Sequence, residues 1–562
     1  MKNKALYLTV VFGMMLGLAS CDLDYFPTDE MNMKALLADE AGEEYIIDGC
    51  YAMLKEEYAY IEYATSNTYV RHYFQMAEFP ADNTCLSGRT TDPLYQAACY
   101  KMTDNLKNVG LFWWVGYKVI FTSNLVIENF KEGQSAESDQ LLGEAYFLRA
   151  MCHFQMSTIF AKPYSHGRDN LGIVLRTSTN TDVTKRATVG EVYDQVVADL
   201  WHASKLMTKP RHSSNPGYAT KNAALGLLSR VYLYEEKNDS VLYVINQMGD
   251  PVSYLEPDFA NYFANAQKSK ETLFCVAHTS LEDRGKGSIG SMYNNDPNGA
   301  GWGEVYASDP LLNLYERYPD DIRYTAYIKP QYAGTKLKVY FAVPDSLDAS
   351  IIISGDVKTD AAGYYFVDDD KQTYRINEEL VNGEYKGYYV DYDGEKRIAR
   401  VTKMMTERNT FPNYFVTKFG YQDGKPQLSS PVFLRWAEVL LNRAEANAKL
   451  GNTAAALADV DALRTSRGIP AAGMFSGNMH GYVDDPVDPN YTAVLQIVLD
   501  ERRLELAFEG HRMFDVYRNK RDMDRKFGGV HPWEIVKWND NKIQYPIPYG
   551  ETSVSHIEQN PD

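Results

Sequence analysis

Residues 434–463 read LRWAEVLLNRAEANAKLGNTAAALADVDAL. Leu434, Ala437, Leu441, Ala444 and Ala448 recur at helical spacing, Gly451 stops the run, and Asn452-Thr453 opens a second one carrying Ala456, Leu457, Val460 and Leu463. Gly468 and Pro470 then end it. The stretch therefore predicts two amphipathic helices in tandem.

Similar pairs occur elsewhere. Leu141 to Phe160 is followed by Glu191 to Met207, with a capping box offered by Thr188-Val189-Gly190-Glu191. Thr220 to Tyr234 continues in Ser240 to Met248, and a fourth unit starts near Thr492 and runs through Phe508. The first helices share Phe147-Leu148-Arg149-Ala150, Leu228-Ser229-Arg230-Val231 and Leu441-Asn442-Arg443-Ala444. Leu450-Gly451-Asn452 with Ala456-Leu457 resembles the turn of a tetratricopeptide repeat, where small residues let antiparallel helices approach. The expected fold is mostly α: about four such pairs forming a scaffold over about 36–250 and 431–527, carrying a loop-rich insertion over about 251–430. Within the insertion, alternating stretches such as Tyr364-Tyr365-Phe366-Val367 and the turn formers Asn382-Gly383 and Asp393-Gly394 predict small β-hairpins over 336–400. Asp368-Asp369-Asp370 lacks the spacing of a calcium loop and reads as a solvated turn.

The N-terminus carries Lys2 and Lys4, then an apolar stretch from Ala5 to Ala19 broken only by Thr9 and small glycines, and ends at Leu18-Ala19-Ser20-Cys21. This is too short to span a bilayer and predicts an export signal over residues 1–20. A cysteine at that position resembles a lipobox, which makes Cys21 the expected lipid anchor of a single domain over residues 21–562. Removing the signal moves the net charge from -18 to -20, a body that repels nucleic acid and anionic membranes at long range. No later segment reads as apolar enough to span a membrane. Of the remaining cysteines, Cys85 and Cys99 could pair in an oxidising exterior or stay buried thiols, and no spacing indicates zinc.

The ordered set of motifs is specific. It comprises Asp22 and Asp24 behind the lipobox, Gly143 to Ala150, Arg186-Ala187-Thr188-Val189 with Val192-Tyr193, and Ala219-Thr220-Lys221 with Leu228 to Tyr234. It continues with Leu434 to Ala446, Glu501 to Arg512 and Tyr545-Pro546-Ile547-Pro548. In that order the chain resembles the SusD/RagB family of nutrient-binding outer-membrane lipoproteins along nearly its whole length. The resemblance implies a lipid-anchored protein of the outer membrane facing the cell exterior. It also implies capture of a glycan or peptide for a TonB-dependent, SusC-like transporter. No cofactor or metal is expected.

Glu501, Glu505 and Glu509 share a helix face, with Arg502, Arg503 and Arg512 interleaved. Acids that point the same way cannot flank a glycosidic bond from both sides, so an ion-pair lattice is the expected role. His511 reads as a packing residue, no nucleophile or metalloprotease motif occurs, and no enzyme activity is expected.

Sugars stack C-H faces on aromatic rings while amides and charged groups take their hydroxyls, and 43 tyrosines with 7 tryptophans are available. Two loop-rich tracts qualify, Asp82 to Trp114 and Ser291 to Tyr306. In the second, glycines on both sides deny Trp302 local cover, and Tyr293, Asn294 and Asn295 precede it. Family members that bind glycans carry a stacking tryptophan here, ahead of a short helix that would span Pro310 to Tyr318. Arg89 and Tyr100 are the candidates from the first tract, whereas Trp113 and Tyr117 face a core. Peptide capture and a repeat scaffold without a small ligand are the alternative readings.

Overall fold

The computed structural model describes residues 41–58, 68–90, 92–211, 215–295, 301–345, 349–381 and 383–561. The export signal and Cys21 lie outside the described residues. The chain divides into residues 1–46 and 47–562, and the elements below belong to the second unit.

Helices form where the caps predict. Thr188 Oγ1 accepts a hydrogen bond from the Glu191 amide, the Glu191 carboxylate accepts one from the Thr188 amide, and the helix runs Val189–Leu206 after Ala136–Phe160. Thr220 caps Lys221–Tyr234, Asn238–Ile245 follows, and Thr492 caps Ala493–Glu505. Between Trp436–Lys449 and Thr453–Ser466, Gly451 takes φ +79°, a left-handed turn that glycine adopts without steric cost. The shared arginines tie these helices together. Arg149 pairs with Asp199 (2.6 Å), Arg443 with Asp459 (2.8 Å), and Arg230 with Glu438 (2.6 Å). Ala444, Ala456, Leu457, Val460, Leu495 and Val498 fill one core between the last helices.

Two local expectations change. Leu434 is in the strand Val432–Arg435, paired with Thr272–Cys275, and its helix begins only at Trp436. Lys107–Asn129 is 23 residues long and apolar enough to cross a membrane by composition. Phe112, Trp113 and Val115 are instead buried in this body, which is why its composition is apolar.

The larger change lies in the insertion. The expected hairpins are joined into one seven-stranded antiparallel sheet, in spatial order Ala349–Asp356, Tyr332–Asp345, Glu395–Met405, Tyr385–Tyr392, Thr373–Val381, Gly363–Val367, Lys358–Asp360. Its two edge strands are separated in the chain by Val357 alone, so the sheet curls round on itself. The inside is packed with Val339, Phe341, Phe366, Ile376, Val390 and Ala399. Asp393 and Gly394 both have positive φ (51° and 79°), the tight hairpin turn the sequence predicts. Asp368 accepts from the Gln372 amide in the turn between two strands. Arg400 on the outer face pairs with Glu316 and joins the sheet to Asp309–Tyr315, the short helix expected over Pro310 to Tyr318. Cys50, Cys85, Cys99, Cys152 and Cys275 are buried free thiols.

Candidate functional site

Three backbone segments meet beside the sheet, and two glycines permit the approach. A Cβ on Gly301 would lie 1.8 Å from the Asn294 carbonyl oxygen, and one on Gly290 would lie 2.1 Å from that of Phe419. No side chain fits at such distances. The segments enclose a cavity of about 690 Å³ whose wall includes Asn261, Asn294, Asn295, Lys329, Gln331, Phe415, Thr417 and Tyr421. Phe415 is directly opposite Lys329 in the pairing of Tyr414–Val416 with Ile328–Pro330, which puts both side chains on the same face.

Tyr421 is the exposed ring of this wall. It is 42% exposed and is held at φ +66°, a conformation that costs a non-glycine residue about 1–2 kcal/mol. Its hydroxyl accepts from Asn294 Nδ2 at 3.4 Å, across 127 residues of chain. The Asn294 carbonyl accepts from Gln427 Nε2 at 3.4 Å. Asn295 Oδ1 is buried and has no hydrogen-bond partner among the described residues, an acceptor that a ligand hydroxyl could satisfy. Lys329 donates to the Thr325 carbonyl at 2.9 Å, and desolvation lowers its amine below the usual lysine range. The wall thus offers an aromatic face, amide donors and acceptors, and one ammonium group.

Of the residues expected from sequence, Asn294 and Asn295 line this cavity. Trp302 stands beside it. The neighbouring Gly303 has its Cβ position 2.9 Å from both Asn295 Cβ and Phe415 Cε1. The indole is 47% exposed, donates from Nε1 to the Lys286 carbonyl at 3.2 Å, and carries Lys286 Nζ over one face at 5.0 Å. The other expected residues are elsewhere. Tyr293 is 2% exposed and packs its ring on Phe419 and Phe508. Tyr100 is buried with its hydroxyl donating to the Pro80 carbonyl at 2.7 Å and bonded to Tyr517. Both belong to the interior, Tyr293 through its ring contacts and Tyr100 with its hydroxyl satisfied, since a large ring gains by burial. Arg89 is exposed and outside the cavity wall. Tyr421, Phe415, Lys329 and Gln331 went unseen in the sequence. Tyr421 carried a usable signal, since Gly420 and Gly424 bracket it as Gly301 and Gly303 bracket Trp302.

The carboxylates near the C-terminus are held differently. Glu501 pairs with Arg323 and Arg464, Glu509 with Arg435 and Lys418, and Glu505 with Arg323, Arg435 and Arg467. Glu271 and Asp321 complete a buried lattice of five carboxylates and five cations. The interleaved arginines serve other acids: Arg502 pairs with Asp515, and Arg503 and Arg512 with Asp82. Burial would raise the Glu505 carboxyl, but Arg467, Arg435 and Arg323 hold it well below the usual range. For His511, burial first and then Arg230 and Arg502 push the imidazole well below its usual value, which keeps it neutral.

Residues 24–233 match a family model described as starch-binding associating with outer membrane, and residues 270–562 match one described as the SusD family. SusD-like protein P2 of Formosa agariphila is 24% identical over 525 residues, covering 90% of this chain and 89% of its own. A SusD superfamily protein of Bacteroides thetaiotaomicron aligns with a TM-score of 0.67 at 20% identity, over 95% of this chain and 100% of its own. A SusD-like carbohydrate binding protein of Bacteroides fragilis aligns with a TM-score of 0.63 at 16% identity, over 93% of this chain and 100% of its own.

Proposed function

The chain belongs to the SusD family, and on that premise we propose that it captures a glycan in the cavity walled by Tyr421, Phe415, Asn294 and Asn295, for delivery to a SusC-like TonB-dependent transporter. The observation that carries the reading is the composition of that wall. An exposed ring is set among amides, one of which has a buried acceptor with no partner among the described residues. Sugar rings need this combination, since stacking takes the C-H face and the amides take the hydroxyls. That a structural relative is described as carbohydrate binding supports the same assignment.

The helical pairs tied by Arg149–Asp199 and Arg443–Asp459 are read as tetratricopeptide-like units of one domain over residues 21–562 that holds the cavity in place. Acylated Cys21 anchors the body to the outer membrane, facing the exterior. The buried arginine-paired carboxylates act as structure, and the protein works as a binder rather than an enzyme. Delivery requires a pore, so gentle detergent extraction at native expression should co-purify a large outer-membrane barrel protein. Recovery of the chain consistently alone would count against transport.

Glycan arrays and peptide pools applied to the soluble body starting at Asp22 test the ligand class; binding of peptides alone would overturn glycan capture. Trp302→Ala then defines the extent of the site. If the ligand reaches the free face of the indole, affinity should fall about tenfold, or about 1.4 kcal/mol. The melting temperature should stay near that of the parent, because the ring is 47% exposed. Titration calorimetry and thermal melting of the same variant read the two effects separately. A large drop in melting temperature with intact binding would make Trp302 a packing residue.

A further inference from the structure

The charge on the cavity wall is one-sided. Among the described residues lining it, Asn261, Asn294, Asn295 and Gln331 supply amides and Lys329 supplies a positive charge, with no carboxylate. This is unexpected in a protein of net charge -18. Lys329 is exposed to the cavity, unlike the buried cations that are matched to acids, as Arg435 is to Glu271, Glu505 and Glu509. The ion pairs of Lys329's neighbourhood do not include it: its amine donates to the Thr325 carbonyl. An ammonium group has three donors, so two remain for a ligand. Desolvation of that amine lowers its pKa. A second lysine stands outside the wall, where Lys286 Nζ lies over the exposed Trp302 ring.

The ring and the amides serve any sugar, but an ammonium group with no carboxylate beside it among the described lining residues is not something a neutral sugar requires. Neutral hydroxyl pairs are well served by carboxylates, which only accept, and a body this acidic would repel an anionic ligand at long range unless the site supplied a local counter-charge. The geometry points to an acidic glycan as the ligand, an oligosaccharide bearing carboxylate or sulfate groups, with one anionic group paired to Lys329. This inference rests on the glycan-capture reading. Lys329 acts as the specificity determinant, because a charged group meeting the anion contributes discrimination more than gross affinity. Tyr421 and Phe415 hold the sugar face.

The test is calorimetric titration of the whole soluble body with oligogalacturonides and with sulfated galactan oligosaccharides. Each series is compared with its neutral counterpart, made by carboxyl reduction or by desulfation. At least one acidic series should bind ten times tighter or more than its neutral counterpart, and which series does so separates carboxylate from sulfate. Lys329→Gln should bring the acidic ligand down to the level of its neutral counterpart, and 0.5 M NaCl should narrow the gap by screening. The variant should melt with the parent, since Lys329 is exposed. Neutral oligosaccharides that bind as tightly as the acidic ones, with Lys329→Gln indifferent, would overturn acid selection and leave glycan capture standing. Failure of every oligosaccharide to bind would overturn both.

Discussion

Glu505→Ala should destabilise the protein by about 3–5 kcal/mol, the usual effect of removing one partner from a buried ion pair. Glu505 is fully buried and its two oxygens meet Arg435, Arg467 and Arg323. Without it, three guanidinium groups share the remaining acids, and the desolvation already incurred is no longer offset. Domains are stable by only about 5–15 kcal/mol, so the effect is large, and urea unfolding would read it directly. A shift of less than about 1 kcal/mol would mean that the lattice relaxes or hydrates around the gap. The same group sets an acid limit. Its folded pKa is depressed below the unfolded value of about 4.3. The stabilisation it contributes is therefore present above that value and is lost as the pH falls through the folded one. Glu445, held down by Arg518, Lys449 and Arg502 against its burial, and Asp82, held down by Arg503 and Arg512 against its own, act in the same direction. Unfolding should therefore set in below about pH 4, and Glu505→Gln should flatten the slope of stability against pH in that range.

Tyr421→Ala should weaken ligand binding by about 2 kcal/mol, roughly thirtyfold, because it removes the exposed ring of the cavity wall. The backbone supplies a control that most binding-site residues lack. Tyr421 is held at φ +66°, where glycine carries no steric penalty. Tyr421→Gly should bind as poorly as the alanine variant while being more stable than it by about 1 kcal/mol. A residue kept for packing would lose stability in both variants. One kept for the ligand separates the two readouts, and calorimetry with thermal melting on both variants decides between them. Unchanged binding in either variant would remove Tyr421 from the site.

Several features were legible because they are local. The helix of residues 436–449 and its partner follow from apolar spacing and from a glycine at the turn, and the capping box at Thr188 follows from four consecutive residues. A helix or a tight turn is specified by neighbours within one or two turns of chain. The family resemblance extended this to the whole chain because motifs in a fixed order survive where overall identity is low.

The sequence by itself determined the main helices, the capping box at Thr188 and the turn at Asp393-Gly394. Tertiary structure decided what depends on residues far apart in the chain. Leu434 fits the helical spacing but pairs as a strand with the segment that holds Phe274, since burial against a partner overrides a weak local preference. The hairpins joined into a curled sheet because their apolar faces needed one common interior. Glu505 draws its partners from 38, 70 and 182 residues away, and Asn294 meets Tyr421 across 127. Periodicity carries no record of such pairings, because they arise only when close-packing brings distant segments into van der Waals reach. Asn294 and Asn295 could be singled out from the sequence because they stand in the loop tract before Trp302, whereas only the fold brings Tyr421, Phe415 and Lys329 to the same cavity wall.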